Sequence, residues 1–358
     1  MHTLAPALPD GAGSDGLQFL CFHGFGSNAL SFEAVAGLVH ERLRASRLMS
    51  FDFPGFGFTR RPRRPSDYGL AATARIGLAL LRRVLRRGVA GAHREEEEGD
   101  GEDAQGAPRR VVLVGHSLGG NIAARVAALG LISGDLRRED IRALVLVAPA
   151  LLAAGGPAAA AAAGTAGWAR SLLSALLSGL TSAIGLVLRC AARACALAAA
   201  LLLRYPLRYP VYELLRRLVY RESFWRQALR YCVLDAGVVT PELVENYSCP
   251  RRILDWEKGF LMFAVSQLSA RARALSAGGA RLDTDAKLLG YLRAAGVPIL
   301  IVHGSADALV PLSNSVSLAR GAGEGTSIHV MKAGHVPHEE DGEGFVGAVL
   351  RFLEETER

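Results

Sequence analysis

The sequence predicts an α/β fold in which a mostly parallel, doubly wound sheet carries a large helical insertion. Short apolar runs alternate with amphipathic helical patterns over residues 17–150, and the alternation returns over residues 297–358. That order is typical of a parallel sheet covered by helices on both faces. Residues 151–296 hold long helical patterns and almost no strand-like alternation. We therefore expect one sheet domain in two parts, interrupted by a helical unit.

The first part of the sheet is predicted to contain four strands, each a short apolar run. These runs are residues 17–22, 48–53, 111–114 and 141–149. A helical pattern follows each of the first three runs. Ser66 and Asp67 can cap the second of these helices, which is predicted to run to about Arg87.

Two segments of this part are predicted to lack regular structure. Residues 1–16 are expected to form a flexible N-terminus. Residues 91–108 carry four consecutive glutamates and no large apolar residue, which is typical of a disordered surface loop. An acidic patch that binds a partner is the alternative interpretation of this loop.

A short motif between the third strand and its helix predicts catalytic chemistry. Gly115-His116-Ser117-Leu118-Gly119 follows a buried apolar run and precedes an alanine-rich helix. Glycines allow a sharp turn that exposes the serine hydroxyl, and free amides at the start of the helix can bind an oxyanion. We interpret Ser117 as a nucleophile, and an ordinary turn serine is the alternative.

The second part of the sheet supplies candidate partners for Ser117. An apolar run at residues 297–303 is followed by Asp307, and a shorter run at residues 327–331 is followed by His335. A serine hydroxyl needs a base within hydrogen-bond reach, which we assign to His335, and Asp307 would orient the imidazole. The chain order serine, aspartate, histidine is that of a nucleophile elbow on an α/β sheet.

His338 is the alternative base, and we prefer His335 because it directly follows the turn at Gly334. The two histidines have no further cysteine or histidine near them in the sequence. A metal site is therefore not predicted, and neither is any other cofactor.

The loop after the first strand is expected to complete an oxyanion hole. In His23-Gly24-Phe25-Gly26 the glycines allow backbone amides to turn inward. We predict the amides of Phe25 and Leu118 as the two donors. Gly24, Gly26, Gly115, His116 and Gly119 are predicted to support the loop and the elbow.

Composition excludes several other classes of protein. The net charge of +7 comes almost entirely from arginines, which form no basic stripe with interleaved aromatics, so no nucleic-acid partner is predicted. Five irregularly spaced cysteines suggest neither a disulfide framework nor a metal site. Residues 1–16 lack the pattern of a cleaved secretory signal. We predict an intracellular location, in the cytoplasm or an organelle interior.

The insertion contains an alanine- and glycine-rich stretch and a long apolar segment. Residues 171–188 carry no charge, and the apolar character continues to residue 203 through two arginines. We favour helices folded over the sheet, because a single span would separate the two halves of the sheet. Attachment of residues 171–203 to a membrane surface, or insertion, are the alternatives.

Five motifs in order closely resemble the α/β-hydrolase fold family, of the cap-bearing kind. They are His23 to Gly26, Asp52 to Gly57, Gly115 to Gly119, Gly304 to Asp307 and Gly334-His335. The resemblance implies that Ser117, Asp307 and His335 form a triad, that Phe25 and Leu118 form the oxyanion hole, and that residues 151–296 are the cap. The chain departs from the family in leaving almost no room for two leading strands before Leu17.

We predict a cofactor-independent serine hydrolase that cleaves an apolar, lipid-like acyl ester through an acyl-enzyme. The serine at the elbow argues against the epoxide and haloalkane hydrolases of this fold, whose nucleophile is aspartate. The expected partner is a small-molecule acyl substrate, and no oligomeric state is predicted. A thioester or C–C bond hydrolase, or a non-catalytic ligand receptor on the same scaffold, are the alternatives.

Overall fold

Buried apolar runs build the sheet of the computed structural model, which describes residues 2–3, 17–43, 46–86, 110–151, 195, 198, 201–202, 208–274 and 285–357. Within these ranges the strands are β1 (His2–Thr3), β2 (Gln18–Phe22), β3 (Arg47–Ser50), β4 (Val111–His116), β5 (Ile141–Val147), β6 (Ile299–Gly304) and β7 (Thr326–Met331). They form a seven-stranded sheet in the order β1-β3-β2-β4-β5-β6-β7. Every neighbouring pair is parallel except β1 and β3, so the predicted mostly parallel sheet is confirmed.

The central strands explain why this sheet needs helices on both faces. All residues of β4 and β5 are buried, as is usual where both faces of a parallel sheet are covered. Within the described ranges the α-helices are α1 (Glu33–Arg42), α2 (Leu70–Arg86), α3 (Leu118–Ser133), α4 (Arg208–Val219), α5 (Glu222–Cys232), α6 (Pro241–Ser248), α7 (Trp256–Ala274), α8 (Asp285–Ala294), α9 (Leu312–Ala322), α10 (Pro337–Glu340) and α11 (Gly342–Glu355).

Two hydrophobic clusters fill the space between the sheet and these helices. Leu81 of α2, Val126 of α3 and Leu289 of α8 belong to one cluster. Val39 of α1 and Phe352 of α11 belong to the other. Because the strands β2 to β7 run parallel, their carboxyl ends lie at one edge of the sheet, which is where ligands bind in folds of this kind.

The early elements differ from prediction in two details. β3 ends at Ser50 rather than continuing to residue 53, because the Asp52 carboxylate accepts hydrogen bonds from the amides of Ala29 and Phe58 and holds the chain in a loop. The predicted cap at Ser66 and Asp67 is wrong, since both lie in a separate 3-10 turn, Pro65–Tyr68, and α2 begins after it.

The N-terminal edge of the sheet contains a strand that the sequence analysis did not predict. His2 and Thr3 pair antiparallel with Ser50 and Met49. This two-residue strand occupies the edge for which the sequence offered little room. The remaining positions of the predicted flexible N-terminus, and the acidic loop at residues 91–108, lie outside the described residues.

The described part of the insertion is helical, as predicted. Helices α4 to α7 share a small core that includes Trp225, Leu229 and Trp256. By contrast, α8 packs with α3, and its Leu288 and Leu289 belong to a cluster of the sheet. The alanine- and glycine-rich stretch of the insertion and nearly all of residues 171–203 lie outside the described residues. Among the helices that are described, none combines the length and hydropathy needed to cross a membrane.

Candidate active site

Ser117 occupies the turn between β4 and α3 in a strained backbone conformation. Its φ is 50° and its ψ is −115°, a region that a non-glycine residue occupies only when the surrounding structure enforces it. The constraint is visible in three hydrogen bonds. The Ser117 amide donates to Val147 O at 2.8 Å, and its carbonyl accepts from the amides of Gly120 and Ala150, each at 3.0 Å. The predicted sharp turn at this serine is therefore present.

The glycines of the motif allow three segments of backbone to meet at this turn. A Cβ on Gly119 would lie 2.0 Å from the carbonyl oxygen of Phe22, and one on Gly115 would lie 2.4 Å from the carbonyl oxygen of Gly119. A Cβ on Gly24 would lie 3.4 Å from the Cβ of Ser117. The loop after β2 is therefore packed directly against the candidate nucleophile.

Two backbone amides near Ser117 are available to a ligand. Neither the Phe25 amide nor the Leu118 amide donates a hydrogen bond to any residue in the described ranges. Leu118 is the first residue of α3, whose initial amides have no partner within the helix. Gly26 follows Phe25 with a φ of 74°, which glycine adopts without steric penalty. This arrangement can supply donors to an oxyanion.

His23 fixes the loop that carries Phe25. Its ring is fully buried and stacks on Phe53 with a centroid distance of 3.8 Å. Nε2 accepts from the Phe53 amide at 3.1 Å, so Nδ1 carries the proton and donates to Gly24 O at 2.8 Å. Burial lowers the pKa of His23, and the nearby negative charge of Asp52, which raises it, offsets this only in part. The neutral ring is thus a structural support for the loop.

Asp307 and His335 meet at the carboxyl ends of β6 and β7. His335 Nδ1 lies 2.7 Å from Asp307 Oδ2, while Asp307 Oδ1 accepts the amides of Leu309 at 2.8 Å and Val310 at 2.9 Å. Burial opposes ionisation of Asp307, but the bond and charge of His335 and these amides outweigh it, so its pKa is lowered. An ionised carboxylate holds the proton of His335 on Nδ1 and leaves Nε2 as the basic atom.

His116, the residue before Ser117, connects the turn between β4 and α3 to His335. His116 Nε2 lies 2.9 Å from the His335 carbonyl oxygen, and the two ring centroids are 5.0 Å apart. No direct hydrogen bond joins the Ser117 hydroxyl to the His335 ring in the described structure. Catalytic hydrogen bonds are often long before substrate binds. The three predicted triad residues thus share one sheet edge. In the described structure a hydrogen bond joins Asp307 to His335 but not His335 to Ser117.

His338, the alternative base, lies in a different environment. It is completely buried in α10, and neither ring nitrogen has a hydrogen-bond partner among the described residues. Burial, assisted by the nearby charge of His335, lowers the pKa of His338 to about 3. The structure brings the Asp307 carboxylate to His335 and not to His338.

Sequence analysis missed a second histidine beside Asp307. His303 Nε2 lies 3.3 Å from Asp307 Oδ2 and 2.9 Å from Val310 O, and His303 Nδ1 lies 2.8 Å from the Ser315 hydroxyl. The ring therefore braces the loop that carries the carboxylate. The available signal was its position four residues before Asp307, at the end of an apolar strand.

A cavity of about 540 Å³ lies between the loop after β2 and the helices of the insertion. Phe25 contributes from the loop, and its ring packs against Phe260 and Phe263 at centroid distances of 5.1 and 5.4 Å. The other apolar lining residues include Val211, Leu215, Phe224, Trp225, Leu229, Trp256 and Leu261.

The thiol of Cys232 also lines this cavity. Burial raises the pKa of Cys232 to about 11, and the negative charges of Asp307, Glu339 and Glu340 contribute to the rise, so this thiol is protonated at neutral pH.

Comparison with known proteins relates this chain to one sequence family and to several solved structures. The sequence profile of the alpha/beta hydrolase family matches residues 19–348, whereas no curated protein sequence matches significantly. A thermophilic esterase from Thermogutta terrifontis is 18% identical, with a TM-score of 0.54 over 96% of this chain and 91% of the esterase. A meta-cleavage product hydrolase from Pseudomonas fluorescens IP01 is 17% identical, with a TM-score of 0.53 over 96% and 93% of the two chains. A bromoperoxidase from Bacillus anthracis is 17% identical, with a TM-score of 0.56 over 96% and 93%. At these identities the likeness concerns the fold.

Proposed function

The chain belongs to the alpha/beta hydrolase family, and from this premise we propose that it is a serine hydrolase that cleaves apolar acyl esters. The observation that carries the proposal is the 2.7 Å contact between Asp307 and His335, at the same sheet edge as a serine in a strained turn. Family membership supports hydrolytic chemistry, and these residues supply a nucleophile, a base and an orienting acid.

In the proposed reaction His335 Nε2 takes the proton of Ser117 as Oγ attacks the ester carbonyl carbon. The carbonyl π electrons move to oxygen, and the amides of Phe25 and Leu118 bind the resulting oxyanion. The intermediate then expels the alcohol, which takes the proton from the imidazolium, and an acyl-enzyme remains. A water molecule gives a proton to His335 and attacks the acyl carbon. The second tetrahedral intermediate collapses with cleavage of the bond to Ser117 Oγ, which takes the proton back from His335 as the acid leaves. Asp307 stabilises the imidazolium during both acylation and deacylation.

The cavity supports an apolar substrate. Its lining is almost wholly aliphatic and aromatic, and Phe25 contributes both a cavity wall and a candidate oxyanion donor. An acyl chain bound there would therefore begin next to the amide that holds its carbonyl oxygen. Thioesters and activated C–C bonds would pass through the same type of intermediate, so the bond that is cleaved is assigned by substrate tests.

Labelling with a fluorophosphonate probe tests the nucleophile. We expect the wild-type protein to be labelled and Ser117→Ala to be unlabelled, because the probe reacts with an activated serine. Ser317→Ala, an exposed serine on α9, is the matched control and should label like the wild type. Equal labelling of Ser117→Ala and the wild type would contradict the assignment.

A panel of p-nitrophenyl esters with acyl chains of increasing length tests the substrate class. We expect turnover that depends on Ser117 and improves as the chain fills the apolar cavity. Tight binding of these esters with negligible turnover would instead support the receptor alternative.

A further inference from the structure

The loop that carries His335 is attached to the helical insertion. The His335 amide donates to Cys232 O at 2.6 Å, and Cys232 is the last residue of α5. A Cβ on Gly334 would lie 2.3 Å from the same carbonyl oxygen. The backbone around the candidate base and the backbone at the end of α5 are therefore in direct contact.

Glu340 joins the same two segments through its carboxylate. Oε1 accepts the Gly334 amide at 2.6 Å, next to His335. Oε2 accepts the amide of Leu234 at 2.7 Å and lies 3.4 Å from that of Asp235. An ionised carboxylate can accept on both oxygens at once, and such charge-assisted bonds are shorter and stronger than neutral ones.

A third contact between the insertion and α10 lies next to the hydrogen bonds of Glu340. The Tyr247 hydroxyl of α6 donates to Glu339 Oε1 at 3.0 Å. Both Cys232 and Tyr247 also line the apolar cavity. A substrate that fills the cavity thus touches the residues of the insertion that are bonded to the loop of the base.

We propose that Glu340 is a positioning residue that holds His335 in place by tying its loop to residues 232–235 of the insertion. This inference rests on the proposed function for its kinetic consequence, although the tie itself does not. When residues 232–235 move away, the His335 amide loses Cys232 O, Glu340 loses the amides of Leu234 and Asp235, and the imidazole loses its fixed position. Substrate that packs against Cys232 and Tyr247 favours the attached arrangement and so favours the aligned base.

Glu340→Gln is the sharpest variant, because it keeps the size of the side chain. Its single amide oxygen can accept from Gly334 or from Leu234, while its NH₂ group faces an amide donor on the other side. Glu343→Gln is the matched control, since Glu343 is exposed on α11 and bonds Arg42 on α1. Glu340→Ala removes both acceptors and serves as the second variant.

Steady-state kinetics give the first test. For a p-nitrophenyl acetate substrate we expect kcat of Glu340→Gln to fall about 10- to 100-fold, as when a catalytic group is displaced by about 1 Å. For a decanoate ester, which fills the cavity, we expect a loss several-fold smaller. Glu343→Gln should match the wild type with both esters. A kcat within twofold of wild type for both esters, or an equal loss for both, would overturn the proposal.

Amide hydrogen exchange gives a test that does not depend on turnover. We expect Glu340→Gln and Glu340→Ala to lose protection together in peptides covering residues 232–236 and 332–337, with the rest of the sheet unchanged. Unchanged exchange in either peptide would overturn the tie. Coupled exchange in a protein whose wild type cleaves no ester would leave the tie standing and refute the proposed function instead.

Discussion

The side chain of Asp307 is fully buried, and it stays ionised because its environment supplies a proton donor for each oxygen. One oxygen faces His335 Nδ1 and the other accepts the amides of Leu309 and Val310. Replacement by asparagine would preserve the volume but offer an NH₂ group where an acceptor is needed. The imidazole would then favour the tautomer with its proton on Nε2, which cannot accept the serine proton.

If Asp307 has the proposed role, Asp307→Asn lowers kcat by about 10³- to 10⁴-fold, the size of loss seen when the aspartate of a Ser-His-Asp triad becomes asparagine. The measurement is steady-state hydrolysis of a p-nitrophenyl ester, with thermal unfolding to confirm that the variant is folded. Asp135→Asn is the control, since Asp135 pairs with Arg82 on the surface. A folded Asp307→Asn protein that retains more than a tenth of the wild-type kcat would contradict this role.

The residues that sequence alone could predict are those whose signal is local. Ser117, Asp307 and His335 each lie in a short motif that follows an apolar strand, so motif and chain order suffice to nominate them. Glu340 carries no such signal, because its role arises from contact with Leu234, 106 residues away in the chain. His303 was missed for a related reason, since a histidine at a strand end has no defined role until the loop beyond it is placed.

At the scale of the element, the turn between β4 and α3 depends on close backbone contact rather than on side chains. A Cβ on Gly119 would lie 2.0 Å from the carbonyl oxygen of Phe22 in β2. Phe22 lies in a buried strand and Gly119 in the first turn of α3, so neither backbone can move without disturbing β2 or the turn that follows β4. The glycine is thus required by packing as well as by the geometry of the turn.

We expect Gly119→Ala to destabilise the protein by more than about 3 kcal/mol and to abolish ester hydrolysis. The matched control is Gly37→Ala in α1, where a Cβ would meet nothing within 4 Å. That variant should be more stable than the wild type by about 0.5–1 kcal/mol, because glycine is unfavourable within a helix. Urea unfolding measures both changes, and a Gly119→Ala protein of wild-type stability would refute the packing argument.

The helices of the insertion show where prediction from pattern ends. The sequence pattern predicts helices within residues 151–296, because a helix needs only a local pattern. The same pattern does not give the pairing of Trp225 with Trp256, whose rings lie 5.6 Å apart. The apolar cavity exists only through such pairings, so its lining could not be read from the sequence.

At the scale of the whole molecule, one mostly parallel sheet joins two stretches of sequence that the insertion separates. β5 pairs with β6 in parallel, from Leu144 with Ile299 to Val147 with Val302. The ends of β4, β6 and β7 therefore lie on the same edge, which places Ser117 near Asp307 and His335. Sequence could predict this assembly because the connections in such sheets follow general rules of order and handedness.

The attachment of the insertion to this sheet edge also buries Glu339, and this burial makes the stability of the fold depend on pH. Burial, together with the nearby charge of Glu340, raises the pKa of Glu339 to about 8 from an ordinary value near 4.5. The hydrogen bond from Tyr247 acts in the opposite direction and offsets this rise only in part. The folded state therefore binds this proton more tightly than the unfolded chain. Between those two values the contribution of Glu339 to stability falls as pH rises, and above about pH 8 the full penalty of a buried charge applies.

Glu339→Gln removes this titration while keeping an acceptor for Tyr247. We expect its free energy of unfolding, relative to wild type, to rise with pH and to exceed the value at pH 5 by about 2–4 kcal/mol at pH 9. Urea unfolding at pH 5, 7 and 9 measures the difference, in which groups that titrate equally in both proteins cancel. Glu343→Gln, at an exposed carboxylate on the surface, should show a difference that does not change with pH. If the gap between Glu339→Gln and the wild type stayed constant from pH 5 to pH 9, the buried carboxyl would not be the group that makes alkaline pH destabilising.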